Sequence, residues 1–269
     1  MNIAAVMVLK SSNGVEEYYV DMALKSMMPY VSGIYVQDQG CTDNTIGVIK
    51  KTVGDAVPLM IEEVYNPFPR FSLEYNEPLY RNGSIERCES VFNSDWIIQC
   101  DADDIFTPFL FNQVQRLENT GILSCYNGIF YSSDRFITPG YKTGWRGDMI
   151  EFGGKMWTDP HYKFWRTSVK LRYPERDAGH FHNTPAKDPH PVICVEGICN
   201  IHLHRMFGPK AFNFWRSDGD VFEETIPFNP RKQAPKWYSS PQNMGSAIKV
   251  DYPWPEFIIR KWKEWANYD

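Results

Sequence analysis

Residues 94–104 read Ser-Asp-Trp-Ile-Ile-Gln-Cys-Asp-Ala-Asp-Asp, and no other stretch constrains the fold of this chain so tightly. The run Trp96, Ile97, Ile98 and Cys100 predicts a short strand covered on both faces, as strands of a parallel sheet are. It leads straight into Asp101, Asp103 and Asp104. Like charges crowded at a strand end raise the cost of ionising one another. Removing Asp101 or Asp103 is therefore expected to leave stability unchanged or slightly higher. A divalent cation reverses that balance. Hard oxygen ligands on a tight turn suit Mg²⁺ or Mn²⁺, which keep positions open for water and phosphate oxygens. The place is apt as well, because open α/β sheets bind ligands at the carboxyl ends of their strands. The simpler explanation is a solvated acidic turn capping the next helix, and the apolar strand in front weighs against it.

Strand and helix alternate before this point. Ile3 to Leu9 reads as a strand and Val15 to Met28 as a helix, ended by Pro29. Ile34 to Gln37 is a second strand, followed by Asp38-Gln39-Gly40-Cys41-Thr42-Asp43-Asn44-Thr45, in which Thr42 or Asp43 caps a helix running to about Val53. Val57 to Val64 is a third strand. A loop from Asn66 to Pro78 precedes a helix from about Leu79 to Phe92. Such alternation implies an α/β fold with a mostly parallel, twisted sheet flanked by helices. Beyond Asp104 the pattern loosens: Pro108 to Leu117 reads as a helix, Ile122 to Tyr131 as one strand, and Ser132 to about His204 as irregular walls or lids. One domain over residues 1–205 is expected, with halves 1–105 and 106–205, followed by a Pro- and Trp-rich extension over 206–269.

Composition narrows the partners. A 269-residue chain with 43% hydrophobic residues can bury a full core. Its formal charge of −5 argues against binding nucleic acid, which usually calls for a basic stripe. No apolar run approaches the ~20 residues that span a bilayer, and Met1 to Leu9 lacks the features of a signal peptide. Cys88 and Cys100 fall where a free thiol acts as a small hydrophobe, so a reducing, cytoplasmic setting is expected. Cys194, Cys199, His202 and His204 do not fit a zinc module, since a strand would place Cys199 on the opposite face from the others.

Three pieces together resemble the family 2 glycosyltransferases, whose fold is of the GT-A type. They are Ile34 to Thr45 with its Asp-x-Gly-Cys-x-Asp-x-Thr pattern, the pair Arg81-Asn82 taken as preceding a helix, and Asp101-Ala102-Asp103-Asp104. Cys41 stands where the family usually has Ser. The agreement covers roughly the first 105 residues. It implies a nucleotide-sugar donor, probed by Asp38 at the base or ribose, by Arg81 as positive charge, and by the segment Asp101, Ala102 and Asp103. It also implies Mn²⁺ or Mg²⁺ on Asp103, with Asp101 beside it and His204 (ahead of His202) from a later strand. Asp104 would support these from behind.

The second half matches less well. Lys163 to Ser168 and Gly179-His180-Phe181-His182-Asn183 occupy the order of an acceptor-side segment, but Asn183 replaces the usual acid. His182 is a candidate general base, and Asp148, Asp177, Glu151 and Asp159 are alternatives that the sequence does not rank. The implied reaction is inverting transfer of a sugar, from a uridine-linked donor, to a hydroxyl of a glycan, lipid-linked or other acceptor. A nucleotidyltransferase would also use an α/β sheet and metal carboxylates, yet Lys10 to Gly14 is too sparse for its phosphate-gripping loop. A non-catalytic carbohydrate-binding protein of the same fold is the other alternative. At the C-terminus, Pro255 to Trp265 reads as a helix docked on the domain, or as a peripheral membrane contact through its Trp and Lys residues.

Overall fold

The computed structural model describes residues 2–11, 15–68, 76–114, 122–125, 127–132, 135–137, 150–152, 155–157, 161–173, 192–194, 200–202 and 247–249. In chain order the elements are β1 (Ile3–Leu9), α1 (Val15–Met27), β2 (Gly33–Asp38), α2 (Thr45–Val53), β3 (Leu59–Glu63), α3 (Glu77–Phe92), β4 (Trp96–Gln99), β5 (Asp104–Phe106), α4 (Pro108–Val114) and β6 (Ile122–Cys125). There follow β7 (Asn127–Ser132), β8 (Arg135–Ile137), β9 (Ile150–Phe152), β10 (Lys155–Trp157), β11 (His161–Arg166), a 3₁₀ turn (Thr167–Val169), β12 (Val192–Cys194), β13 (Asn200–His202) and β14 (Ala247–Lys249).

Two compact units divide the chain: Met1–Tyr126 with Pro160–Asn200, and Asn127–Asp159 with Ile201–Asp269. The first holds a seven-stranded sheet of order β12-β6-β11-β4-β1-β2-β3. Strands β4, β1, β2 and β3 pair parallel, as do β6 and β12, whereas β11 runs antiparallel to β4 and β6. In the second unit β8 pairs antiparallel with β7 and with β14, and β9 pairs antiparallel with β10.

Period-two alternation decides which helix covers which face. Ile3, Ala5, Met7 and Leu9 of β1 pack with Val20, Ala23, Leu24 and Met27 of α1 and with Ile49 and Val53 of α2. Ala4 and Val6 point the other way, to Ile85 and Cys88 of α3 together with Tyr35, Ile97 and Trp165. Every residue of β1, β2 and β4 is buried, which explains why these strands read as continuous apolar runs. The fold class expected from the sequence, a mostly parallel α/β sheet flanked by helices, is the one found.

Several boundaries differ from expectation. α3 starts at Glu77, two residues early, because the Asn76 side chain accepts a hydrogen bond from the Leu79 amide at 3.2 Å and Pro78 fits the first turn. Arg81 and Asn82 therefore lie inside the helix and do not precede it. The residue at the head of α2 is Asn44, not the expected Thr42 or Asp43, and its side chain makes no capping bond; the Asp43 carboxylate accepts from the Thr45 amide at 3.1 Å. The expected strand from Ile122 to Tyr131 is two strands, β6 and β7, in different sheets. Among its described residues, the stretch read as irregular contains six short strands, of which β11 inserts beside β4. Among the described residues no helix is long and apolar enough to cross a membrane. The segment Pro255 to Trp265 lies outside the described residues.

Ile98 is 0% exposed between the two helix layers and Leu79 is 63% exposed on α3. Ile98→Ala should cost about 2–5 kcal/mol in urea unfolding, whereas Leu79→Ala should stay within about 0.5 kcal/mol of the parent.

Candidate functional site

The strand order reverses direction at β1: the chain runs outward through β2 and β3, then returns to place β4 on the other side of β1. In an open sheet such a switch point leaves a crevice beyond the carboxyl ends of the strands that flank it. Those ends carry Lys10 and Ser11 after β1, Asp38 to Cys41 at the end of β2, and Cys100 to Asp104 after β4. Parallel pairing puts all three groups on one edge.

The turn after β2 is built around Asp38, whose Oδ1 accepts hydrogen bonds from the amides of Gly40 at 3.0 Å and Cys41 at 2.8 Å. Gly40 has φ +98°, a conformation that side-chain-bearing residues rarely adopt. This turn is laced to the end of β1. Gln39 N donates to Leu9 O at 2.8 Å, Thr42 N to Ser11 O at 2.8 Å, and Ser11 Oγ bonds the Asp43 carboxylate. Burial pushes the Cys41 thiol up to about 12, so it stays protonated. Lys10 Nζ donates to the carbonyls of Asn66 and Phe68, fastening the loop after β3, and burial lowers its pKa. Tyr65, 79% exposed, lies over Gly40, so that a Cβ there would stand 3.6 Å from its ring.

The acidic turn after β4 is neutralised from within the chain. Asp101 Oδ1 accepts from Arg81 Nη1 and Nη2, each at 3.2 Å, and its Oδ2 accepts from Lys163 Nζ at 2.7 Å. Lys163 also donates to Asp104 Oδ2 at 2.6 Å, and that same oxygen accepts from the Asp101 amide at 2.9 Å. Arg81 Nε donates to Glu77 Oε1 at 2.7 Å, one helical turn earlier. The Arg81 guanidinium lies 5.5 Å from the Tyr173 ring, and the Tyr173 hydroxyl donates to Gln99 Oε1 at 2.6 Å. Asn82 closes the network by a reciprocal pair with the Tyr173 backbone, at 2.9 and 2.7 Å.

Burial opposes a charge on Lys163, but Asp101 and Asp104 outweigh it and hold the ammonium well above its ordinary range. Arg81 behaves alike, with burial opposed by Glu77 and Asp101. Burial, reinforced by Asp104 and Asp101, pushes the Cys100 thiol far up. The expectation that the strand-end carboxylates only repel one another is thereby corrected for Asp101 and Asp104, which are held by two buried cations.

Asp38, Arg81, Asp101, Ala102 and Asp103 thus come to one edge of the sheet. Asp103 and Ala102 are buried there, at 2% and 3% exposure. His182, Asp148, Asp177, Asp159 and His204 lie outside the described residues. Glu151 is on β9 and His202 on β13. Lys163, Glu77, Tyr173 and Gln99 escaped the sequence reading as members of this network. The Glu77-Arg81 spacing was a usable signal; the lone Lys within His161–Arg166 was a weaker one. Among the described residues no three His, Cys, Asp or Glu side chains gather in a group able to hold a metal ion. With Asp101 and Asp104 bound to Arg81 and Lys163, these two carboxylates do not fit a divalent ion held between them, while Asp103, expected to hold it directly, is buried beside them.

No protein-family model matches the sequence, and no curated protein does. Among solved structures the chain is similar to a mannosyltransferase from Pyrobaculum calidifontis in complex with GDP-Man and Mn²⁺, at 16% identity and a TM-score of 0.35, over 47% of this chain and 35% of that one. It is also similar to glucosyl-3-phosphoglycerate synthase from Mycobacterium tuberculosis in complex with Mn²⁺, UDP and phosphoglyceric acid, at 16% identity and a TM-score of 0.34, over 47% of this chain and 43% of that one. A mycobacterial protein matches at 17% identity and a TM-score of 0.35, over 48% of this chain and 41% of that one. The match spans less than half of each of these chains. A likeness of this degree does not bear on chemistry.

Breaking the ion network should be expensive, because removing one partner of a buried pair strands the other. Lys163→Met should cost about 3–5 kcal/mol in urea unfolding. A loss below about 1 kcal/mol, the range of exposed pairs, would refute the buried network.

Proposed function

We propose that this chain is a glycosyltransferase of the GT-A type, moving a sugar from a nucleoside-diphosphate donor, uridine-linked, to a hydroxyl acceptor with inversion. The observation that carries this reading is the shared edge at the switch point, where the Asp38 turn and the Arg81–Asp101–Lys163 group flank the end of β1. The resemblance of residues 34–45 and 101–104 to family 2 supports it.

In this reading each residue has a task that its chemistry allows. Asp38 is an acceptor only, so it pairs with a base N–H or a ribose hydroxyl. Its Oδ1 already shapes the turn, which fixes the direction of the rest of the carboxylate. Arg81 and Lys163 offset the carboxylates after β4, so that an anionic donor meets less repulsion. Orientation of two bound substrates supplies much of the rate. The acceptor hydroxyl attacks the anomeric carbon opposite the departing nucleotide, which inverts configuration. Its proton passes to a base, for which His182, Asp148 and Asp177 are the candidates. Residues 1–205 would form the catalytic part.

Ligands that bind only the folded state stabilise it by about 2.7 kcal/mol at one hundred times Kd. That amounts to a rise in Tm of several degrees, at about 2–4 °C per kcal/mol for chains approaching this size. UDP and UDP-sugars should raise Tm and GDP should do so less; no response to any nucleoside diphosphate or sugar nucleotide would reject the reading. Asp38→Asn keeps an oxygen for the Gly40 and Cys41 amides but replaces the charge with an amide. Titration calorimetry should show UDP affinity down about tenfold, the loss of one hydrogen bond to a charged group, with Tm of the free protein unchanged. Equal affinity would reduce Asp38 to a turn residue.

A further inference from the structure

We propose that Lys163 is a built-in cation standing where a divalent ion would otherwise bridge Asp101 and Asp104, and that Asp101 is therefore not a metal ligand in this chain. The inference rests on side-chain geometry alone and does not depend on the transferase reading. Lys163 lies at a register shift between β11 and β6: Tyr162 is opposite Ser124 and Phe164 is opposite Leu123, leaving Lys163 as the extra residue. Bulges of this kind re-aim a side chain. Here the side chain is 7% exposed and the ammonium stands 2.7 Å from Asp101 Oδ2 and 2.6 Å from Asp104 Oδ2. Because β11 is antiparallel to β4, its first residues lie beside the carboxyl end of β4, where those carboxylates emerge.

The oxygens of Asp101 are already engaged. Oδ1 takes two N–H groups of Arg81, and Oδ2 takes the ammonium. A Mn²⁺ or Mg²⁺ ion binds carboxylate oxygen at about 2.0–2.2 Å. On Oδ2 it would therefore share one oxygen with an ammonium in contact range. A dication and an ammonium sharing one oxygen repel each other strongly at such a distance. The ammonium is carried on a sheet strand, so it is held in place by the fold and need not be drawn from solvent.

The test uses the full chain with Mn²⁺ alone, so that its outcome is separate from nucleotide binding. Wild type and Asp101→Asn should take up equally little Mn²⁺, read by the electron paramagnetic resonance of free Mn²⁺. Lys163→Ala should bind Mn²⁺ about tenfold or more tightly than wild type, as removal of an adjacent like charge implies, and Mn²⁺ should raise the Tm of this variant but not of wild type. Lys163→Arg, which keeps a cation, should gain no site. A loss of Mn²⁺ binding in Asp101→Asn, or no gain in folded Lys163→Ala, overturns the proposal. Should the variants not fold, wild type decides. Lys163 should resist amine acetylation at pH 8 equally with and without Mn²⁺, and labelling that Mn²⁺ switches on would mean that the ion displaces the ammonium.

Discussion

Two buried cations hold the end of β4 in place, and much of the described structure is arranged around that fact. Arg81 comes from α3 on one face of the sheet and Lys163 from β11, the strand next to β4, and both converge on Asp101. Buried ion pairs gain little net stability because desolvation consumes most of the attraction. They are nonetheless demanding of geometry. With Asp104 at 0% exposure and Arg81 at 6%, neither helix nor strand can shift without leaving a charge uncompensated. The network thus fixes how α3 and β11 meet the sheet, in a way that the interchangeable apolar contacts of Ile85, Cys88 and Trp165 do not.

The same edge shows a second kind of fastening. The loops after β1, β2 and β3 are not independent. Backbone bonds from Gln39 and Thr42 reach Leu9 at the end of β1 and Ser11 just after it, and Lys10 grips the carbonyls of Asn66 and Phe68. Asp38 is held by amides of its own turn. A carboxylate so held presents a fixed direction, which is the kind of pre-organisation that recognition of a directional hydrogen bond needs.

Legibility in the sequence follows the range of the determining interactions. Strands β1, β2 and β4 were readable because burial on both faces writes itself locally as an apolar run. Their helices were readable because Pro29 and the polar turn at Thr42 to Thr45 punctuate them. The start of α3 was misread because Asn76 caps it from what looks like a proline-rich loop. β11 left almost no local trace: its strand character comes from pairing with β4 and β6, more than thirty residues away. For the site, Asp38 and Asp101 were legible as carboxylates at strand ends and Arg81 as a cation on the helix before β4. Their partners were not, since Lys163 meets Asp101 across 62 residues of chain.

That separation has a consequence for the order of folding. The strands β1 to β4 and their helices are contiguous in sequence, and Arg81 meets Asp101 over only 20 residues. Lys163 must close a much longer loop, whose entropic cost is met before the contact forms. The four-stranded parallel core is therefore expected to assemble first, with the carboxylates of Asp101 and Asp104 still facing water. Docking of β11 removes that water and supplies the ammonium in one event. The acidic edge is thus expected to close after the four-stranded core, when β11 docks beside β4.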